Sequence, residues 1–139
     1  MEYDVEASLL NIQRAFNARA SMQAFSPRRI ADKEKQRGTS VKFMVTWKIR
    51  ESNWLPILKL WSAMTPQQRA DGGAGIKIIG RWHDLAARRG VAILEANDLA
   101  AALRYAGRWN PHMDIDLVPV VDDEESAEVA KQIVAANAA

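Results

Sequence analysis

The feature that most constrains this chain is a switch between two hydrophobic periods that occurs twice from Val41 onward. Alternating apolar and polar residues predict a half-buried strand, and apolar residues three or four apart predict an amphipathic helix. The segments read strand, helix, strand, strand, helix and strand: Val41 to Lys48, Trp54 to Met64, Ile76 to His83, Gly90 to Glu95, Leu99 to Tyr105 and Met113 to Val121. This order predicts an α+β fold, a ferredoxin-like βαββαβ sandwich with a four-stranded antiparallel sheet.

Both helices of such a sandwich cover the same face of the sheet, so the other face needs a partner. We expect this partner to be a second copy of the chain, which makes the protein a homodimer. Pro119 predicts that the last strand lies at an edge or ends there, because proline cannot donate to a ladder. The acidic run Asp122 to Glu125 and the apolar stripe Val129, Ile133 and Val134 predict a C-terminal helix.

Local signals predict where the two central helices begin and end. Ser52 is expected to cap the first helix, and Asn97 or Asp98 the second. Gly107 is expected to end the second helix. The residues expected to pack that helix against the sheet are Leu99, Leu103, Ala102 and Ala106.

The N-terminal segment, residues 1–40, differs in composition from residues 41–139. Ser8 to Arg19 has the spacing of a short amphipathic helix, and Asp32 to Ser40 has the polar composition of a linker. We therefore expect an extension at 1–40 and one ferredoxin-like domain at 41–139. A basic targeting or docking arm is an alternative for the extension. The codons of Lys33 to Gly38 can resemble a ribosome-binding site, so a native start near Val41 is also expected.

Charge and composition exclude several classes of function. The net charge is +2 and the isoelectric point is about 9.1. The N-terminal segment holds seven of the 19 basic and five of the 17 acidic residues, so residues 41–139 are neutral. A domain that binds a phosphate backbone is expected to carry a basic face, and we expect no nucleic-acid partner.

The location follows from cysteine content and hydropathy. The chain has no cysteine, which excludes disulfides and thiolate metal sites and fits a reducing cytoplasm. No apolar stretch approaches the roughly 18 residues of a membrane span. Glu2, Asp4 and Glu6 stand where a secretory signal carries basic residues. We expect a cytoplasmic protein with no membrane partner.

The candidate catalytic residues lie on the predicted central hairpin. Arg81 and His83 are two apart on one strand and share a face, and His83 has the side chain suited to acid and base work near neutral pH. Glu95 is expected to be partly buried and paired with Arg81 or Arg104. The alternative for His83, and for His112, is a partly exposed residue that forms hydrogen bonds near a strand end. A buried ion pair at the dimer seam explains Glu95 equally well.

Aromatic residues supply a candidate ligand site. The chain holds five tryptophans, more than a core of this size requires. They pack in the core and the dimer interface, or some of them line a pocket for a planar or apolar ligand. The predicted lining residues are Trp47, Trp82, Tyr105, Trp109 and Asn110.

We expect no cofactor and no metal ion. Asp114 and Asp116 share a strand face and invite a cation, but no third ligand lies near them in the sequence. Two carboxylates on a solvated strand are the simpler interpretation.

Five segments carry a resemblance to a known family: Val41 to Trp47, Ile79 to His83, Val91 to Glu95, Arg108 to Pro111 and Pro119 to Asp123. They resemble a small bacterial family called domain of unknown function three-three-zero-three, over Val41 to Ala139. The resemblance implies a dimeric α/β-barrel fold, in which two sheets face each other across a homodimer. It supplies no activity, because none is assigned to the family.

Two functions remain. The first is a homodimer that binds a small ligand or a partner protein without catalysis. The second is a cofactor-independent enzyme of the dimeric α/β-barrel type, a monooxygenase or isomerase, in which His83 moves a proton and Arg81 holds an anion. Convergence of His83, Arg81 and Glu95 on one enclosed cavity favours the enzyme.

Overall fold

The computed structural model of the chain describes residues 40–138, together with Leu10 and Arg14. The expectations for the N-terminal segment, an extension and a native start near Val41, fall outside the described residues. The elements are β1 (Val41–Ile49), α1 (Trp54–Ala63), α2 (Pro66–Ala70), β2 (Ile76–Asp84), β3 (Arg89–Ala96), α3 (Leu99–Trp109), β4 (Met113–Val120) and α4 (Asp123–Asn137). A single 3-10 turn at Glu51–Asn53 precedes α1.

Strand pairing confirms the predicted α+β fold. The four strands form one antiparallel sheet in the order β2-β3-β1-β4, which is compatible with a ferredoxin-like sandwich. In the centre of the sheet, Val45 lies opposite Ala92 on one side and Leu117 on the other. Pro119 lies on β4 at the edge of the sheet, as predicted. An edge strand tolerates proline because backbone N–H groups on its outer side have no partner strand.

The sheet has a covered face, which lies under α1 and α3, and an open face. On the covered face, Val45, Ala92 and Leu94 are buried, and they form one core with Ile57 of α1 and Tyr105 of α3. Apolar side chains on the open face include Met44, Ile79, Trp82, Val91, Ile93 and Val118. Of these, Trp82 is 61% exposed and Val118 is 45% exposed, so water reaches this face.

One extra residue interrupts the alternation of β2. Ile78 pairs with Leu94, and Gly80 pairs with Ile93, which leaves Ile79 without a partner of its own on β3. This arrangement is a β-bulge. A bulge of one residue exchanges the faces that all later side chains of the strand occupy.

The bulge decides which side chains of β2 meet the helices. Beyond it, Arg81 pairs with Ala92 and His83 with Gly90, both on the covered face. Unbroken alternation from Ile76 and Ile78 would instead place Trp82 there and turn Arg81 and His83 to the open face.

Helix α3 differs from the prediction in its length and in its buried side. It continues past Gly107 to Trp109, and Leu99 and Leu103 are 56% and 55% exposed. The side chains that face the sheet are Ala101, Ala102, Tyr105 and Trp109. Ala101, Tyr105 and Trp109 are four residues apart, so two large aromatic rings reach the core while alanine lets the backbone approach the strands. The two aromatic rings remove more apolar surface from water than two leucine side chains would, so the helix buries the rings.

The helix caps are partly as predicted. The Asp98 carboxylate accepts a hydrogen bond from the backbone N–H of Ala101 at 2.8 Å, so Asp98 caps α3. Ser52 does not cap α1, because it lies inside the 3-10 turn and Asn53 takes the cap position. The Asn53 side chain donates instead to the backbone carbonyl of His112 at 2.9 Å. This bond joins the start of α1 to the start of β4.

The predicted C-terminal helix is present as α4, and all of its side chains are exposed. The Lys42 ammonium lies 3.2 Å from the Asp122 carboxylate and 2.8 Å from that of Glu125, which ties the start of α4 to β1. Val129, Ile133 and Val134 form an uncovered apolar stripe. No helix among the described residues is both long enough and apolar enough to span a membrane.

Candidate functional site

A cleft opens between the covered face of the sheet and helices α1 and α3. Its cavity volume is about 60 Å³. Because one water needs roughly 10–15 Å³ of such volume, the cleft has room for about four to six waters. Its aromatic lining consists of Trp47, Trp54, Trp61, Tyr105 and Trp109. The polar lining comes from Arg81 and His83 of β2.

Small residues on β3 create the space for this cleft. Gly90 lies between Trp47 of β1 and His83 of β2 in one row across the sheet. A Cβ atom on Gly90 would lie 2.1 Å from the Trp47 ring, so only glycine lets this indole lie flat over the strand. In the next row, Ala92 lies between Val45 and Arg81. These small residues let the Trp47 ring pack down on β3, where it lines the cleft.

Arg81 is held in place by three groups. One terminal N–H of its guanidinium donates to the backbone carbonyl of Arg69 at 2.8 Å, and the other terminal nitrogen lies 3.5 Å from the Tyr105 hydroxyl. The guanidinium carbon lies 4.8 Å from the centre of the Trp61 ring, a distance typical of a cation–π contact. Arg69 approaches the same ring at 6.0 Å. Arg81 therefore presents a preoriented positive charge to the cleft.

His83 lies against aromatic rings on one side and is open to solvent on the other. Its ring centre is 5.0 Å from that of Trp61 and 5.5 Å from that of Trp47. The loss of solvent on the aromatic side lowers the pKa of His83 below its usual value, and the charge of Arg81 lowers it further. The imidazole is thus neutral at pH 7. Among residues 40–138, no group forms a hydrogen bond with its ring nitrogens, so both nitrogens are open to a ligand.

The structure brings together five of the predicted site residues. Trp47, Arg81, His83, Tyr105 and Trp109 all line the cleft. Their roles in binding or catalysis stay predictions.

Three other predicted site residues lie elsewhere. Trp82 is on the open face, where its ring packs over Gly80, and Asn110 is exposed at the end of α3. Glu95 lies at the far end of β3 on the open face, opposite Lys42 and Lys77 of the neighbouring strands.

The expected pairing of Glu95 with Arg81 or Arg104 is wrong. Its carboxylate accepts a hydrogen bond from the Ser40 hydroxyl at 2.6 Å. Because Glu95 and Arg81 lie on opposite faces of the sheet, the trio of His83, Arg81 and Glu95 does not converge on one cavity.

Helix α1 forms a part of the cleft that the sequence pattern does not predict. Trp54, Leu58 and Trp61 follow at helical spacing and line the cleft together with Ile57. This spacing predicts a helix packed on the sheet, and the separation of seven positions from Trp54 to Trp61 places both indoles on one helix face. The backbone carbonyl of Arg69 carries no sequence signal, because any residue supplies one.

His112 and the two aspartates of β4 lie away from the cleft. His112 is fully buried, contrary to the expected partly exposed position, because α1 and α3 close over the start of β4. Burial lowers its pKa, and the charge of Arg50 lowers it further. Asp114 forms an ion pair with Arg50 at 3.0 Å. In the part of the chain that the structure describes, no three His, Cys, Asp or Glu residues are grouped to hold a metal ion.

Comparison with known proteins identifies a family and supplies no chemistry. Residues 41–134 match the family described as Domain of unknown function (DUF3303), and this match covers well over half of the 139 residues. The chain belongs to this family. No curated protein and no solved structure matches the chain. In this DUF3303 protein, the cleft and its two polar groups are therefore the basis for a functional proposal.

Gly90→Ala tests the packing of the Trp47 ring over β3. The added methyl forces the Trp47 ring away from β3, and we expect a loss of about 1–2 kcal/mol in the free energy of unfolding from overpacking. Urea denaturation followed by tryptophan fluorescence measures it. Gly107→Ala is the matched control, because nothing lies within 4 Å of its added Cβ. That variant should gain about 0.5–1 kcal/mol from helix propensity, and equal effects of the two changes would contradict the assignment.

The histidines predict how stability depends on pH. Both folded-state pKa values lie below the unfolded value of about 6.5, so the unfolded chain takes up protons first as the pH falls. We expect the free energy of unfolding, measured in urea, to fall between pH 7.5 and pH 5.5. His83→Gln should reduce this fall and leave the contribution of His112. A stability that rises on acidification would contradict the burial of both rings.

Proposed function

We propose that this DUF3303 protein binds a small, planar organic molecule in the cleft and does not convert it. The observation that carries the proposal is the make-up of the lining: five aromatic rings and two polar side chains, Arg81 and His83, at one end. Small-molecule sites combine an apolar wall with a few convergent polar groups in this way.

The size and rigidity of the cleft support a flat ligand. A cavity of about 60 Å³ suits one small ring system rather than an extended chain. Trp47 packs over Gly90, and the Trp61 ring contacts both the Arg81 guanidinium and the His83 ring. Aromatic side chains fixed in this way favour stacking against another ring, because little side-chain entropy is lost on binding.

A second candidate is a cofactor-independent enzyme, a monooxygenase or isomerase of the dimeric α/β-barrel type. The observation that favours it is the position of neutral His83 beside Arg81, since a neutral imidazole can accept a proton while a guanidinium stabilises the resulting anion. Glu95, the third group expected for such chemistry, lies on the other face of the sheet. This position favours binding over catalysis.

Exchange of one tryptophan tests the cleft as a binding site, with indole as the probe. Trp61→Leu removes the ring that contacts both Arg81 and His83, so we expect indole to bind about 2- to 10-fold more weakly by NMR titration. Trp82→Leu makes the same exchange on the open face and should leave indole affinity unchanged. Binding that weakens equally in both variants would count against the cleft, and conversion of the bound probe would favour the enzyme.

We also propose that two copies of the chain pair through their open faces. The support is an apolar surface in the middle of this face, where Trp82 is 61%, Ile79 50% and Val118 45% exposed. Grouped apolar side chains of this kind mark interaction sites on most proteins. A second copy is the favoured occupant because two identical sheet faces can pack against each other with their apolar side chains interdigitated.

Sedimentation velocity of the full chain tests this pairing. We expect a dimer, and Trp82→Glu should shift it to monomer because an unpaired carboxylate would be buried at the seam. Leu55→Glu is the control, since Leu55 is 73% exposed on α1, away from the open face. A folded monomer at high concentration of the unaltered chain would overturn the pairing.

A further inference from the structure

The cleft has an unbalanced charge. Arg81 is the only lining residue among those described that is charged at pH 7, since the burial that lowers the pKa of His83 keeps its ring neutral. No described carboxylate forms an ion pair with Arg81. Two other arginines near β2 and β4 do have such partners: Arg89 lies 2.9 Å from Asp84, and Arg50 lies 3.0 Å from Asp114.

We propose that the ligand of the cleft is a planar carboxylate, whose charge Arg81 neutralises. This inference rests on the proposed binding function and adds the chemical class of the ligand. A half-buried guanidinium without a counter-ion costs free energy, and an anionic ligand is the partner that removes this cost.

The contacts of Arg81 leave its carboxylate-binding groups available. The bond to the Arg69 carbonyl uses one of its five N–H donors, and the 3.5 Å approach to Tyr105 is a weak contact. The contact of the guanidinium with the Trp61 ring uses none of the N–H donors. A guanidinium held by one strong hydrogen bond, one weak contact and an aromatic ring is preorganised, and its remaining N–H donors can bind the oxygens of a carboxylate.

Neighbouring groups add to the preference for an anion. Arg69 lies 6.0 Å from the same Trp61 ring, so a second positive charge lies at this end of the cleft. Neutral His83 can donate one hydrogen bond to a carboxylate oxygen without any competing charge. Because no carboxylate of the described chain lines the cleft, nothing repels the ligand.

A pair of probes with the same shape and different charge tests the inference: indole-3-carboxylate and indole-3-carboxamide. We expect the full-length protein to bind the carboxylate at least about tenfold more tightly, because hydrogen bonds to charged groups contribute more than neutral ones. The advantage should shrink when sodium chloride is raised from 0.05 to 0.5 M, since salt screens the partly exposed charge. Both measurements use the unaltered chain, so they do not depend on how any variant folds.

Two variants assign the preference to one side chain. Arg81→Gln should bring the two affinities to within about twofold of each other by weakening the carboxylate, while the amide still binds. Arg104→Gln is the matched control, because Arg104 is exposed on α3 and has no ion pair among the described residues, and it should keep the full preference. Arg81→Lys retains the charge without the fork, and we expect it to keep part of the preference.

The outcomes separate the two proposals. Equal affinity of the unaltered chain for both probes overturns the anion preference and leaves the cleft as a binding site. A preference that survives in Arg81→Gln overturns the assignment to Arg81. Failure of both probes to bind overturns the inference together with the proposed function.

Discussion

The arrangement of the whole site depends on the single extra residue in β2. Ile79 has no partner on β3, and the strand beyond it has exchanged faces. Side chains on a strand alternate strictly, so this one residue turns Arg81 and His83 toward the helices and Trp82 away from them. If the ladder ran without the bulge, a second strand-borne tryptophan, Trp82, would line the cleft in place of Arg81 and His83. The bulge thus gives an otherwise apolar core its two polar groups.

Glycines on β2 and β3 make the other half of the arrangement possible. Each face of the sheet has a tryptophan that packs over a glycine: Trp47 over Gly90 on the covered face and Trp82 over Gly80 on the open face. Without a Cβ atom on these glycines, both indoles pack close to the backbone of the sheet and leave space above it. On the covered face, α1 and α3 close this space into a cleft. On the open face, no described element does so, and the exposed ring is available to a partner.

Electrostatics and packing in the cleft depend on each other. Trp61 of α1 stacks on the Arg81 guanidinium and contacts the His83 ring, so a single side chain from the helix layer positions both polar groups of the strand. The loss of solvent and the nearby charge of Arg81 both lower the pKa of His83, so its ring is neutral at pH 7. The result is one fixed positive charge beside one neutral hydrogen-bonding ring. This combination suits the recognition of an anion better than the transfer of a proton between two charged groups.

The sequence by itself determined the order of the elements, the antiparallel sheet, the edge position of Pro119, the cap at Asp98 and the pairing of Arg81 with His83 on one face, because these follow from local periodicity and backbone chemistry. It did not determine which side of α3 is buried. The local hydrophobic pattern favours burial of Leu99 and Leu103, but packing against the strands buries Tyr105 and Trp109 instead. Nor did it determine that Glu95 and Arg81 lie on opposite faces, because the bulge is visible only in the register between β2 and β3. Local patterns determine whether each segment forms a helix or a strand. Contacts between segments distant in sequence fix which way each side chain turns, and the cleft exists only through those contacts.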